Sequence, residues 1–266
     1  MRSIALAFTL TALPAAPLLA FGDRAHQAVT DKAIDTLPKG LKPFYKAHKL
    51  EMPTLSLEGD LPDEGTDRRF AIDRILPFPF ADVPHTEGQL KEKYPELAGQ
   101  VGRLPWLIQE SYAKLVEAFK AGDKVRILEE SDRLAGLVTD LHNPLALTEN
   151  ADGQKTEQHG LWIRFGVKLP EAMGKDLGLN PDAAVFLDNP NEHVFSIING
   201  TYVWLDNLLY EEELAHRGHG GYGERYFEGF AQRAGRLLKD RLSHAADEAG
   251  SYWYSAWQQA GRPELK

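Results

Sequence analysis

Apolar residues recur at intervals of three and four along most of the chain, and this spacing predicts α-helices. A first helix is expected from Asp23, a candidate N-cap, to about Leu37, where residues 38–40 (Pro-Lys-Gly) end it. The other predicted helices begin near Pro105 and after Asp123, or span about 191–216, 223–249 and 252–259. The last boundary rests on Gly250 as a helix breaker. Since no regular β-alternation accompanies these patterns, the sequence predicts one all-α, multi-helix domain.

Residues 51–90 do not follow the helical pattern. Prolines at positions 53, 62, 77, 79 and 84 interrupt this segment, and proline removes a backbone donor that a helix needs. A long loop inside a compact domain usually forms or covers a site. The segment is therefore predicted to be irregular and close to the function.

The N-terminal residues have the features of a secretory signal peptide. Arg2 precedes an apolar stretch over residues 4–13, and a small residue, Ala20, follows two prolines. The stretch is too short to span a bilayer. We expect a signal peptide over residues 1–20 and a mature domain over residues 21–266, located in the periplasm or secreted, without a transmembrane segment.

Charge and cysteine content restrict the chemistry. The net charge of −9 has the wrong sign for attraction to nucleic acid or to an anionic membrane, so nucleic acid is an unlikely partner. A small phosphate ester or a phospholipid bound through metal ions remains open as a ligand. The chain has no cysteine, which excludes thiolate catalysis and cysteine-bound zinc.

Three stretches contain candidate metal ligands. Residues 21–26 are Phe-Gly-Asp-Arg-Ala-His, residues 140–145 are Asp-Leu-His-Asn-Pro-Leu, and residues 158–163 are Gln-His-Gly-Leu-Trp-Ile. These stretches resemble the zinc-dependent phospholipase C family, which shares its helical fold with the single-strand-specific nucleases. The resemblance covers the predicted mature chain in outline. It is specific at the N-terminus and over residues 137–165.

The resemblance implies three zinc ions that hydrolyse phosphoric esters by activating water and neutralising phosphate charge. It implies that the α-amino nitrogen and carbonyl oxygen of Phe21 bind zinc together with His26, once the signal peptide has been removed. Asp140 matches the aspartate that bridges two ions in the family. Asp63 or, less well, Asp60 matches an aspartate of an upstream loop.

Four side-chain ligands of the family are replaced. Gly136 and Ala146 stand where the family has histidines, and Ile163 stands where it has an acid. A further upstream histidine corresponds to Arg68 or Arg69. We therefore expect at most one or two zinc ions, or none. The expected ligands are Phe21, His26, Asp63 and Asp140.

An arginine could also satisfy Asp140 without any metal ion. A guanidinium of Arg68 or Arg69 in the place of a lost zinc would satisfy Asp140 by itself. If His85 rather than Arg68 is the counterpart ligand, a second metal becomes credible.

Other polar residues near these stretches have more modest expected roles. Arg68, Arg69 and Arg164 are candidate phosphate-binding residues, whereas His142 and His159 are expected to be supporting or leftover histidines. The acidic run over residues 211–213 is expected to be a solvated helix face, and the aromatic residues over 252–257 are expected to be core.

Three hypotheses about function follow. In the first, the protein is an exported, divergent member of the phospholipase C/nuclease fold with a degenerate zinc site and weak or lost catalysis. In the second, it is a metal-dependent phosphoric ester hydrolase that uses a reduced or rearranged site. In the third, it is a metal-free structural or partner-binding protein.

Overall fold

The computed structural model describes residues 20–52, 67–217 and 221–265. Every regular element in these ranges is helical and none is a strand, which confirms the predicted all-α class. The main helices are α1 (Asp23–Thr36), α2 (Lys42–His48), α3 (Glu87–Lys93), α4 (Leu104–Ala121), α5 (Lys124–Leu141), α6 (Pro190–Tyr202), α7 (Leu205–His216) and α8 (Glu224–Gln259). Shorter helical turns are Lys49–Glu51, Ile72–Arg74, Pro144–Leu147, Leu161–Ile163, Arg164–Lys168 and Leu169–Ala172. None of the described helices has the length and apolar character that a membrane span requires.

Helix α8 is the central element of the fold and packs against α1, α4, α5 and α7. Helices α4 and α5 form a hairpin, in which Gly122 ends α4 at a φ of 64° and Asp123 caps α5 by accepting from Arg126 N at 3.2 Å. The predicted Asp123 cap is thus confirmed. A cap of this kind contributes about 1 kcal/mol to stability.

Tyr252 and Trp253, near the end of α8, are part of the core, as predicted, whereas Tyr254 and Trp257 are half-buried against it. Trp253 is fully buried and donates from Nε1 to Ser131 O at 2.9 Å. Tyr45 stacks on Trp253 with ring centroids 4.7 Å apart, and its hydroxyl lies 2.7 Å from Ser131 Oγ. Burial raises the pKa of Tyr45 far above its ordinary value. The ring stack therefore joins α2, α5 and α8 around a neutral phenol.

Several predicted helix boundaries are wrong. Asp23 is the first residue of α1, and Gly22 is its N-cap. The predicted helix over 191–216 divides at Val203 and Trp204 into α6 and α7. Helix α2 was not predicted, because its seven residues are too few for a periodic pattern to emerge. The predicted signal peptide lies outside the described residues, except for Ala20.

Gly250 does not break the last helix, contrary to prediction. Helix α8 continues through it. At this point α1 lies so close to α8 that there is no room for a side chain. A Cβ on Gly250 would lie 2.0 Å from Thr36 Oγ1, 3.2 Å from Ala33 O and 3.3 Å from Ala184 Cβ. The glycine therefore allows close helix packing, and its lower helix propensity is overridden by the tertiary contact.

Two glycines of α8 provide a matched test of this interpretation. Gly229→Ala adds a methyl group where nothing lies within 4 Å, and we expect the free energy of unfolding to rise by about 0.5–1 kcal/mol. Gly250→Ala is expected to lower it by about 1–3 kcal/mol, since the added methyl overlaps Thr36. Urea denaturation followed by circular dichroism measures both changes. Equal stabilisation by the two substitutions would contradict close packing as the reason for Gly250.

Candidate functional site

The candidate site is centred on Asp140, in the last turn of α5, whose side chain is fully buried. His26, in α1, lies with Nε2 at 2.9 Å from Asp140 Oδ1. The backbone N–H of Phe21 donates to the same oxygen at 3.3 Å. Arg68 donates from Nε to the other oxygen, Oδ2, at 2.6 Å. The fold thus brings together three predicted site residues and one of the two candidate arginines.

These partners keep the Asp140 carboxyl ionised. Burial alone raises the pKa of Asp140, but the charge of Arg68, the interaction with His26 and the hydrogen bonds from both outweigh it, so the pKa lies below its ordinary value. An acid near the C-terminus of a helix is also disfavoured by the helix dipole. The site is therefore a buried ion pair in which Arg68 supplies the compensating charge.

The backbone next to the site is buried as well. Ala20 and Phe21 have no exposed surface, and Asn143 donates from Nδ2 to Ala20 O at 2.5 Å. Gly22 donates from its backbone N–H to Gly166 O at 3.0 Å. A Cβ on Gly166 would lie 2.2 Å from Ala20 O. Consequently, the chain around the predicted cleavage point is held inside the protein, at the end of α5.

Arg68 is the arginine that pairs with Asp140, whereas Arg69 is turned elsewhere. Arg68 is 2% exposed, and its Nη2 has no hydrogen-bond partner among the described residues. The Arg69 guanidinium lies over Trp162, 5.9 Å from the ring centroid, and burial lowers the pKa of Arg69. The two adjacent arginines thus have different neighbours, and the sequence alone could not show which of them contacts Asp140.

The described residues around Asp140 do not fit a centre of three zinc ions. A guanidinium cannot be a metal ligand, and Arg68 occupies the Asp140 oxygen that a bridging carboxylate would need for a second ion. Asp63 lies outside the described residues. Within the described ranges, no group of three or more His, Cys, Asp or Glu side chains is arranged to hold a metal ion. Among the described residues, the side chains at the site that could ligate a metal ion are therefore those of His26 and Asp140.

The other histidines considered from the sequence do not join the site. His142 Nδ1 lies 2.9 Å from Val138 O, and burial lowers the pKa of His142 to about 4, so it is a neutral residue that supports its own helix end. His85 pairs with Glu192 at 2.5 Å. It therefore does not act as the counterpart ligand of Asp140. His159 is exposed.

A second buried ion pair accounts for Arg164. Its Nε and Nη2 donate to Glu212 Oε1 at 3.0 and 2.7 Å, and Tyr226 donates from its hydroxyl to the same oxygen at 2.8 Å. Gln158 donates from Nε2 to Glu212 Oε2 at 2.6 Å. The guanidinium also lies 3.8 Å from the ring centroid of Tyr222. Since internal acceptors occupy its donors, Arg164 is a structural residue rather than a phosphate-binding one.

The prediction of a solvated acidic run over residues 211–213 is therefore wrong for its middle member. Glu212 is 1% exposed because it lies on the inner face of α7, together with Leu208 and Ala215. Its charge is compensated by Arg164, which explains how a carboxylate can lie among apolar residues. Glu213, the next residue, is exposed.

Comparison with known proteins found no match that could assign a function to the site. No protein-family model matches the chain, and no curated protein sequence matches it. The resemblance to the phospholipase C/nuclease family thus rests on the residues quoted above, and the described structure contributes an all-α fold with a buried Arg68–Asp140–His26 cluster.

Proposed function

We propose that the protein is an exported, divergent relative of the phospholipase C/nuclease fold in which Arg68 replaces a zinc ion and three-zinc hydrolysis is lost. The observation that carries this proposal is the Arg68 Nε to Asp140 Oδ2 distance of 2.6 Å, between two fully or almost fully buried side chains. The function that remains is non-catalytic, and the cluster serves to fix the start of α1 against the end of α5.

The chemical argument rests on what a guanidinium can and cannot do. It neutralises a carboxylate as a metal ion would, and it donates directed hydrogen bonds. It does not coordinate water, so it cannot produce the hydroxide nucleophile that zinc supplies near neutral pH. With Arg68 bound to one oxygen and His26 to the other, Asp140 is used for structural compensation and not for bridging metals.

Metal content and hydrolysis test this proposal together. Protein purified from the periplasm, with Phe21 verified as its first residue, is expected to contain less than one zinc per chain by mass spectrometry. Hydrolysis of bis(p-nitrophenyl) phosphate is expected to equal the blank and to be unaffected by EDTA. Arg68→His frees Asp140 Oδ2 and adds a ligand, so this variant is expected to bind more zinc than the wild type.

The opposite result has a clear form. Two or three zinc ions per wild-type chain, with hydrolysis that EDTA and His26→Ala both abolish, would overturn the proposal in favour of a metal-dependent phosphoric ester hydrolase. His48→Ala is a suitable control for that assay, because His48 is bonded to Glu51 at the surface. Its substitution leaves the Asp140 cluster intact.

A further inference from the structure

A groove of about 750 Å³ shares no lining residue with the Asp140 cluster. Its walls are formed by Tyr112 of α4, by residues 186–191 at the start of α6, and by Tyr254, Gln258, Gln259 and Arg262 around the end of α8. The volume lies within the range of about 300–1,000 Å³ that is typical of small-molecule sites. None of the predicted site residues that the structure describes lines this groove.

Aromatic rings form the apolar part of the groove. Phe186 is 50% exposed although it is a large apolar side chain, and Tyr254 is partly exposed. Tyr112 is almost buried, and its hydroxyl donates to Gln259 Oε1 at 2.7 Å. Exposed ring faces of this kind pack against flat apolar surfaces such as the C–H faces of a sugar ring.

Carboxamides form the polar part of the groove. Asn189, Asn191, Gln258 and Gln259 all line it. A carboxamide offers both a donor and an acceptor, which is the combination that a hydroxyl group can use. The amide of Gln258 is already engaged, because it donates to the Tyr254 hydroxyl and accepts from Arg262 Nε, so a ligand would use mainly the amides of Asn189 and Asn191. The oxygen of Gln259 is occupied by Tyr112, and this bond fixes the orientation of the amide, so that its NH₂ group is left to donate.

The charged residues of the groove cancel. Among the described residues, Asp188 and Arg262 are the two charged side chains of the lining, and they have opposite signs. Helix α6 begins at the groove, but Pro190 in its first turn has no N–H to offer to an anion, and Asp188 repels one. The lining therefore favours neither a phosphate nor a cation, and suits a neutral ligand with many hydroxyl groups.

We infer that this groove, between Tyr112, Phe186 and the carboxamides of the α6 and α8 ends, binds a short neutral oligosaccharide. The rings contact the C–H faces of the sugar units, and the amides of Asn189 and Asn191 exchange hydrogen bonds with their hydroxyls. This inference does not depend on the proposed function, because the groove and the Asp140 cluster have no residue in common.

Calorimetric titration of the protein with cellotriose, maltotriose and chitotriose tests the inference. At least one of these is expected to bind with a dissociation constant below about 10 mM. Phe186→Ala is expected to weaken that binding by about tenfold or more, because it removes a ring face. Val185→Ala is the matched control, since Val185 is 59% exposed and adjacent but does not line the groove, and it is expected to bind as the wild type does.

Asn191→Ala provides a second variant at an exposed position, and it is expected to weaken binding without changing the melting temperature. No binding of any of the three neutral sugars would overturn the inference. Binding that Phe186→Ala leaves unchanged, or binding of a glucuronate trimer with none of the neutral sugars, would also overturn it. Zinc content bears on the proposed function alone, so the two can fail separately.

Discussion

Asp140→Asn is expected to lower the free energy of unfolding by about 3–5 kcal/mol, because it leaves the Arg68 guanidinium buried without a counter-charge. Urea denaturation at pH 7, followed by circular dichroism, measures the change. Asp35→Asn is the matched control. Asp35 lies on α1 and faces two lysines, Lys42 and Lys46, at 3.6 and 3.7 Å, but its side chain is 55% exposed. Exposed pairs contribute about 0–1 kcal/mol, so this control is expected to change little.

A double variant separates the ion pair from other effects of the substitution. Adding Arg68→Met to Asp140→Asn removes the unpaired charge, and the double variant is expected to be more stable than the sum of the two single changes implies. Additive losses, or a loss for Asp140→Asn as small as that for Asp35→Asn, would contradict a buried Arg68–Asp140 pair. Repeating the measurement with EDTA shows whether any of the loss reflects a bound metal.

The difference in the free energy of unfolding between the wild type and Asp140→Asn should depend on pH with a defined sign. The folded-state pKa of Asp140 lies below its ordinary value, so its contribution to stability is present above the unfolded value of about 3.9 and is lost as the pH falls through the folded value. The difference between the wild type and Asp140→Asn should therefore be constant near neutral pH and become smaller below about pH 4. An increasing difference at acidic pH would mean that another group dominates.

The helical class could be predicted from the sequence because it depends on local periodicity, which each segment carries by itself. Boundaries that depend on packing could not. Gly250 has the local character of a breaker, but the contact with Thr36 of α1, more than two hundred residues earlier, decides its conformation. Helix α2, with seven residues, lies below the length at which periodicity is informative.

The candidate site was partly predictable, for a different reason. Phe21 and His26 lie 119 and 114 residues from Asp140, and no local pattern brings them together; the resemblance to a known family did. That resemblance could not choose between Arg68 and Arg69, because the loop register is ambiguous and the two side chains face different neighbours. Zinc binding itself stays a prediction.

The sequence did contain a signal for Glu212 that a reading of charge alone missed. Buried residues of α7 are spaced at intervals of three and four, and position 212 lies four residues after Leu208 and three before Ala215. Helical periodicity therefore places Glu212 on the inner face, although its neighbours in the acidic run suggest solvent. An acid at an apolar position predicts a buried basic partner, which here is Arg164.

Glu212→Gln is accordingly expected to lower the free energy of unfolding by about 3–5 kcal/mol, since Arg164 then remains buried without a carboxylate. The change keeps the size of the side chain, so that the loss reports charge and not a cavity. Urea denaturation measures it, with Glu213→Gln as the matched control. Glu213 is the next residue on α7, pairs with Arg217 at 2.6 Å and is 52% exposed, and its substitution is expected to cost less than about 0.5 kcal/mol.

Arg164→Met tests the other half of this pair. Alone, it leaves Glu212 buried with Tyr226 and Gln158 as neutral donors, and it is expected to destabilise the protein about as much as Glu212→Gln does. Together, the two substitutions are expected to cost clearly less than their sum, because no unpaired charge remains. If Glu212→Gln instead matched Glu213→Gln, the acidic run would be solvated after all, and Arg164 would again be a candidate for binding a phosphate ester.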